Sequence, residues 1–315
     1  MPPELPIELQ LRIVDVALPP RTSANFPTRR DLLLSFALVH RSWTAHARGL
    51  LEEQVRFDVE QWTGHYDAVV LFRRTHPARR LRRLDVRIAH RLKELDEELE
   101  QELRTQLEAI EELSFARSAD LCPACDYKLL YETNDWHAQK AVPSLHFLSS
   151  GAFPFLRFLA ISHMTLPLDW HDAAMPSLHT LLLTDVGPRS VFSDLGSLKS
   201  LRVLGAKADF GNLLSCLEGA WPALQHLAVV GISIRGYDDL VTDVSLPNSL
   251  SSITVLHLPP AMDTTAWPAR LGQLNAEFEA RWAQLGLELR RRECVKFAEI
   301  SGFDLEEWAL SVGGT

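Results

Sequence analysis

Two cysteines three apart, Cys122 and Cys125 in "LCPACDY", are the residues of this chain whose type and spacing first suggest chemistry. Paired thiolates can hold zinc when two further ligands complete a tetrahedron, and His137 and His146 follow Cys125 by 12 and 21 residues. That spacing differs from the finger pattern, so a polar loop with two ordinary thiols is the better reading, and no metal or other cofactor is expected. His163, Asp169, His171 and Asp172 in "SHMTLPLDWHD" could be drawn as a metal or acid/base cluster, yet they fall where a loop should follow a strand. No P-loop, G-x-G-x-x-G, G-x-S-x-G or H-E-x-x-H is present. The chain is therefore expected to be non-enzymatic, with a metal-assisted activity around Cys122 and His163 as the weakest of three alternatives.

Composition narrows the remaining classes. The 315 residues are 46% hydrophobic and carry a formal charge of -9, which argues against a nucleic-acid binder. No signal-peptide pattern and no apolar run of membrane-spanning length appears, so an intracellular protein of cytoplasm or nucleus, without a membrane partner, is expected. Four cysteines are too few for a disulfide framework in a chain of this size. Arginines crowd residues 73 to 93 and acidic residues the stretch to Glu112. Such blocks usually form a solvated, mutually neutralising face.

The elements that would carry function are repeats. L-x-x-L-x-L or a close variant recurs as "LRFLAI", "LHTLLL", "LRVLGA", "LQHLAV" and "LSSITV", starting at 156, 178, 201, 224 and 250, with spacings of 22, 23, 23 and 26 residues. "FPFL", "MPSL" and "WPAL" introduce three of them, placing a Pro where it can end one segment and admit a strand. Weaker copies are "LRRLDV" at 81 and "IEELSF" at 110, with "VPSLHFLSS" near 142 as an irregular half repeat. This resembles a degenerate leucine-rich-repeat array. The resemblance implies an α/β solenoid, its curved parallel sheet lining a concave face and its helices and loops on the convex face.

Leu92, Leu95, Leu99, Leu103, Leu107 and Ile110 predict a convex-side helix, with Glu100 and Arg104 as an i, i+4 pair. Towards the end, Leu271, Leu274, Phe278 and Trp282 predict a helix over about 264–285, stopped by Gly286. A last strand over about 287–294 and a short helix over about 304–312 follow. In this register the concave face presents Arg83, Asp85, Arg87, Phe158, Thr180, Leu182, Thr184, Val203, Lys207, His226 and Val230. Of these, Arg83, Arg87, Phe158, Thr180, Leu182, Val203, Lys207, His226 and Val230 are the candidate target-binding residues. Ala160, Gly205 and Ala228 make its centre small and apolar, fit for a peptide, a helix or the chain's own tail.

The N-terminus reads differently. "LPIELQLRIVDVA" places Leu5, Leu9, Ile13 and Val16 on one helical stripe that Pro19-Pro20 stops. "LLLSFALVHRSWTAHARGLL" places Phe36, Val39, Trp43, Ala47 and Leu50 on a second, so two amphipathic helices are expected. Together they resemble the F-box motif at Leu5, Pro6, Glu8, Leu9, Ile13, Leu38, Val39 and Trp43, with a connection at 17 to 31 longer than usual, and "LLEEQVRFDV" looks like the strand that often follows in F-box proteins of mushroom-forming fungi. The resemblance implies an F-box-like helical domain over 1–55 and a repeat domain over 56–315. Its adaptor-binding residues would be Leu5, Pro6, Leu9, Ile13, Val16, Leu38, Val39 and Trp43. The implied role is the substrate-recruiting subunit of an SCF-type ubiquitin ligase, joined through its adaptor to cullin and RING subunits, with an unidentified target on the repeats. The alternative is a protein-binding repeat scaffold outside any ligase, with residues 1–50 as a hydrophobic cap.

Overall fold

The computed structural model describes residues 5–59, 81–89, 110–118, 153–164, 175–184, 186, 198–207, 221–232, 246–257, 267–293, 299–300 and 302–313. Helices α1 (Ile7–Ala17), α2 (Phe26–Val39) and α3 (Arg41–Glu53) lead directly into strand β1 (Gln54–Val59). Strands β2 (Arg83–Ala89), β3 (Glu112–Ser118), β4 (Phe158–Ser162), β5 (Thr180–Thr184), β6 (Val203–Lys207), β7 (His226–Ile232) and β8 (Ser252–His257) follow. Helix α4 (Trp267–Leu285), strand β9 (Glu288–Glu293) and helix α5 (Leu305–Gly313) complete the order. The nine strands among the described residues pair in parallel, each beside its neighbour in this order, a solenoid-like α/β arrangement.

Register explains the repeat. Leu84, Leu113, Leu159, Leu181, Leu204, Leu227 and Ile253 are consecutive partners across the sheet, and all are fully buried. Two residues on, Val86, Phe115, Ile161, Leu183, Ala206, Val229 and Val255 form a second buried row on the same face. The repeats predicted at 81 and 110 fall into the same rows, so the motif leucines form one continuous core. Each strand satisfies its neighbours' backbone groups, which is why no repeat could stand alone.

The prolines before the strands act by turn geometry. In Phe153–Leu156, Met175–Leu178 and Trp221–Leu224 the last N–H donates to the first carbonyl at 3.2 to 3.3 Å, with Pro154, Pro176 and Pro222 second in each turn. Proline is preset for that position. Ser177 and Ser200 then donate to Pro154 and Pro176 carbonyls at 2.7 and 2.6 Å, stitching each turn to the one before.

Two sequence expectations change. The second N-terminal stripe is not one helix: His40 is extended (φ -144°, ψ 135°), and its Nδ1 accepts from the Ser42 N–H at 3.3 Å. This caps α3 and separates it from α2, so three helices stand where two were expected, and Val39 and Trp43 leave the common face. The C-terminal prediction needs only small boundary shifts. Leu274, Phe278 and Trp282 are buried in the core, and Gly286 (φ 68°) ends α4 with its N–H on the Ala283 carbonyl and that of Leu287 on the Trp282 carbonyl. The predicted helix near 92–110, the half repeat near 142, the Cys122/Cys125 pair with His137 and His146, Asp169, His171 and Asp172, and the side chain of Leu271 lie outside the described residues.

Candidate functional site

Two surfaces carry the candidate residues. On the N-terminal helices the small interior is built from Leu18, Leu33 and Ala47, with Phe36, Ala37, Leu50 and Leu51 partly buried around them. Helix α1 rests on α3 through Gln10, which accepts from the Trp43 indole at 3.0 Å, and through Asp15, 2.7 Å from His46 Nε2. Val14 is its buried residue. The stripe predicted from the sequence faces the other way: Leu5, Leu9, Ile13 and Val16 are exposed, Val16 to 78%. On α2, Leu34, Leu38 and Val39 are exposed as well, Leu38 to 88%. Pro6, at the N-cap of α1, is also in solvent, and Trp43 is half-buried, edge-on to Phe36 at 5.9 Å.

The second surface is the sheet face opposite the core. Its central row runs Asp85, Ser114, Ala160, Leu182, Gly205, Ala228 and Thr254. Helix α5 lies across it. Leu305, Trp308 and Ala309 form one apolar cluster with Phe158, Leu182, Val203, Val230 and Leu256, and the Trp308 indole donates to Thr254 Oγ1 at 3.1 Å. A Cβ on Gly205 would lie 2.8 Å from Leu182 Cδ2 and 2.9 Å from Leu305 Cδ2, so the missing side chain is what admits the helix. Of the open possibilities for this groove, the chain's own tail is the occupant found here. Asp304 caps α5, accepting from the Glu306 and Glu307 N–H groups at 2.8 and 3.1 Å.

Next to the helix start is a buried polar knot. Arg83, 2% exposed, meets Asp85 and Glu306 at 2.9 Å and Glu112 at 3.4 Å, and donates to the Arg21 carbonyl and Ser23 Oγ. Glu306 accepts from the Ser23 N–H at 2.6 Å and its hydroxyl at 3.0 Å, while Gln54 donates to Asp85 at 2.8 Å. Arg21 bonds Glu112 and also Glu53, and Arg56 donates to the Ser23 carbonyl. Burial lowers the proton affinity of the Arg83 guanidinium, but Glu306, Asp85 and Glu112 outweigh it and hold the pKa above the ordinary arginine range. Burial pushes the Glu306 carboxyl up, against the pull of Arg83 and Ser23. The connection predicted at 17 to 31 is shorter in the structure, because α2 already begins at Phe26; what remains, with Arg21 and Ser23, joins the N-terminal helices, the first strands and the tail.

This arrangement sorts the candidate target residues. Arg83, Phe158, Leu182, Val203 and Val230 are buried beneath the tail or in the knot. Arg87, Thr180, Lys207 and His226 remain half-buried. His226 pairs with Ser252 Oγ at 2.7 Å, and burial lowers the pKa of its ring. Ser23, Ser114, Thr254 and Glu306 were missed from the sequence, although Leu305, Trp308, Ala309 and Val312 after Asp304 spell a capped amphipathic helix. Among the described residues no group of three or more His, Cys, Asp or Glu is placed to hold a metal ion.

No family model matches this sequence, and no curated protein matches it. Among solved structures, the crystal structure of a protein from Bacteroides fragilis, a structural genomics target, is similar at 11% identity with a TM-score of 0.44, covering 80% of this chain and 82% of that one. No helix among the described residues is long and apolar enough to cross a membrane.

Proposed function

We propose that this chain is a non-catalytic recognition subunit, an F-box protein with leucine-rich repeats that docks on the adaptor of an SCF-type ubiquitin ligase through its N-terminal helices. The observation that carries this reading is the exposure of Leu5, Leu9, Ile13, Val16, Leu38 and Val39, residues read as adaptor-binding, on helices whose own interior uses Val14, Leu18, Leu33 and Ala47 instead. A hydrophobic cap would turn those stripes onto the repeats. Large apolar side chains displayed on one helical stripe are the anchors of a helix-mediated interface. The parallel sheet with its repeated leucine rows supports the leucine-rich-repeat part of the proposal.

In such a subunit the work is proximity: one end holds the adaptor, the other a target, and transfer occurs elsewhere in the assembly. Because α5 covers the middle of the sheet face, the target is proposed to engage the side chains flanking it, Arg87, Thr180, Lys207 and His226. Calorimetric titration with the SCF adaptor tests the reading, comparing wild type with a Leu9→Asp, Ile13→Asp double variant whose folding is checked by circular dichroism. Binding lost in the folded double variant is the expected result. An adaptor that ignores the wild-type chain removes the ligase role and leaves a repeat scaffold.

A further inference from the structure

Between α2, the end of α3 and β1 lies a cavity of about 510 Å³, in the range of small-ligand sites. Its walls are apolar, from Phe26, Leu33, Leu34, Leu51 and Val55, but three arginines line it: Arg29, Arg30 and Arg56, against the single carboxylate Asp58. Among the described residues none of the three has a carboxylate within ion-pair distance, whereas Arg21, Arg82, Arg83 and Arg87 all do. Arg29 donates to the Pro19 carbonyl at 2.8 Å, and Arg56 lies over the Phe26 ring at 4.6 Å. Together with the bond from Arg56 to the Ser23 carbonyl, these neutral partners position two cations that have no carboxylate within ion-pair distance among the described residues. Burial lowers the pKa of both, with Arg21 adding to the effect at Arg29 and Arg87 at Arg56; Glu53, Asp15 and Glu112 oppose it at Arg29, and Asp85, Asp58 and Glu306 at Arg56, without cancelling it. A second observation lies beside them: the buried Nε of Arg56, a hydrogen-bond donor, has no partner among the described residues. A buried donor of this kind is ordinarily satisfied by a protein acceptor, an ordered water or a bound ligand.

We propose that this cavity binds a carboxylate carried on an apolar body, the guanidinium groups of Arg29, Arg30 and Arg56 receiving the charge and the leucines and Phe26 the apolar part. A free organic acid or an acidic side chain next to a large apolar residue in a partner segment presents the same chemistry. The proposal does not rest on adaptor docking. Arg–carboxylate pairing in a half-desolvated pocket is directional and stronger than at an open surface.

The test is heteronuclear NMR on the full-length chain, following arginine Nε–H and leucine methyl signals. The probes are 4-phenylbutyrate, its uncharged isostere 4-phenylbutanamide, and the blocked peptide acetyl-Leu-Asp-Glu-Leu-amide. Saturable shifts of Arg29, Arg56 and Leu33 with a carboxylate probe, absent with the amide, are expected. Affinity should fall about tenfold or more, the loss of one charged hydrogen-bonded contact, in Arg29→Gln, and also in Arg30→Gln, whose exposed side chain makes folding safe. Tighter binding of the acid identifies a free ligand; tighter binding of the peptide identifies a partner segment. Absence of saturable shifts from either carboxylate to about 10 mM, or equal binding of acid and amide, overturns the proposal.

Discussion

Arg83 concentrates more of the molecule's electrostatics than any other described side chain. It faces Asp85, Glu112 and Glu306 from within the fold, so Arg83→Met leaves three carboxylates without their shared cation. Loss of about 3–5 kcal/mol is expected in urea unfolding, the cost of breaking a buried pair from one side. Glu306 behaves differently. Its folded pKa is raised, so the folded state holds that proton more tightly than the unfolded chain, and the contribution present below the ordinary glutamate range is lost as pH rises through the raised value. Wild type should therefore lose stability relative to Glu306→Gln as pH climbs from the ordinary glutamate range, with Asp85, Arg83 and Ser23 unchanged around the site. Parallel pH profiles for the two proteins would contradict this. At Gly205 the effect is steric: Gly205→Leu should displace Leu305 and Trp308, read as a red-shifted tryptophan emission, while Gly205→Ala costs about 1 kcal/mol because flexible leucine ends can yield.

Helix α5 is the element on which the second surface depends. Its nine residues are too few to persist in water alone, so its order derives from burying Leu305, Trp308 and Ala309 against the sheet and from the Asp304 cap. Trp308→Ala is expected to cost about 3–5 kcal/mol and to expose Phe158, Leu182 and Val230 to an apolar dye such as ANS. Helices α1 and α2 invert that relation. Their exposed leucines contribute little to folding, so Leu9→Asp with Ile13→Asp should shift stability by only about 0.5 kcal/mol per site, whereas Leu33→Ala at 2% exposure should cost about 2–4 kcal/mol. A thermal melt of each variant checks the contrast.

At the scale of the whole molecule, the segment around Ser23 ties the chain between the N-terminal helices to the first strands and the tail. Deleting residues 1–20 should leave the sheet's unfolding transition nearly unchanged, because the deleted residues supply none of the knot. Deleting residues 1–50 removes Arg21 and Ser23 from Arg83, Asp85 and Glu306 and should lower the midpoint of that transition. Coincident midpoints for the two truncations would show that the knot is energetically idle.

The sequence alone determined the strands of the repeats from 156 to 255, because a leucine every second or third residue at 22- to 26-residue intervals can be buried in only one parallel register. It also determined the apolar stripe of α1, since periodicity marks a face. What a stripe meets is not a local property. Leu9 and Leu274 are alike in sequence, yet one lies in solvent and the other in the core, because only the packed chain decides which surfaces find partners. The knot around Arg83 likewise joins residues up to 283 positions apart, as with Ser23 and Glu306, and the pocket of Arg29 and Arg56 brings α2 to β1. Pairings at that separation follow from tertiary geometry, since no periodicity along the chain can encode which distant charge will be brought within 3 Å.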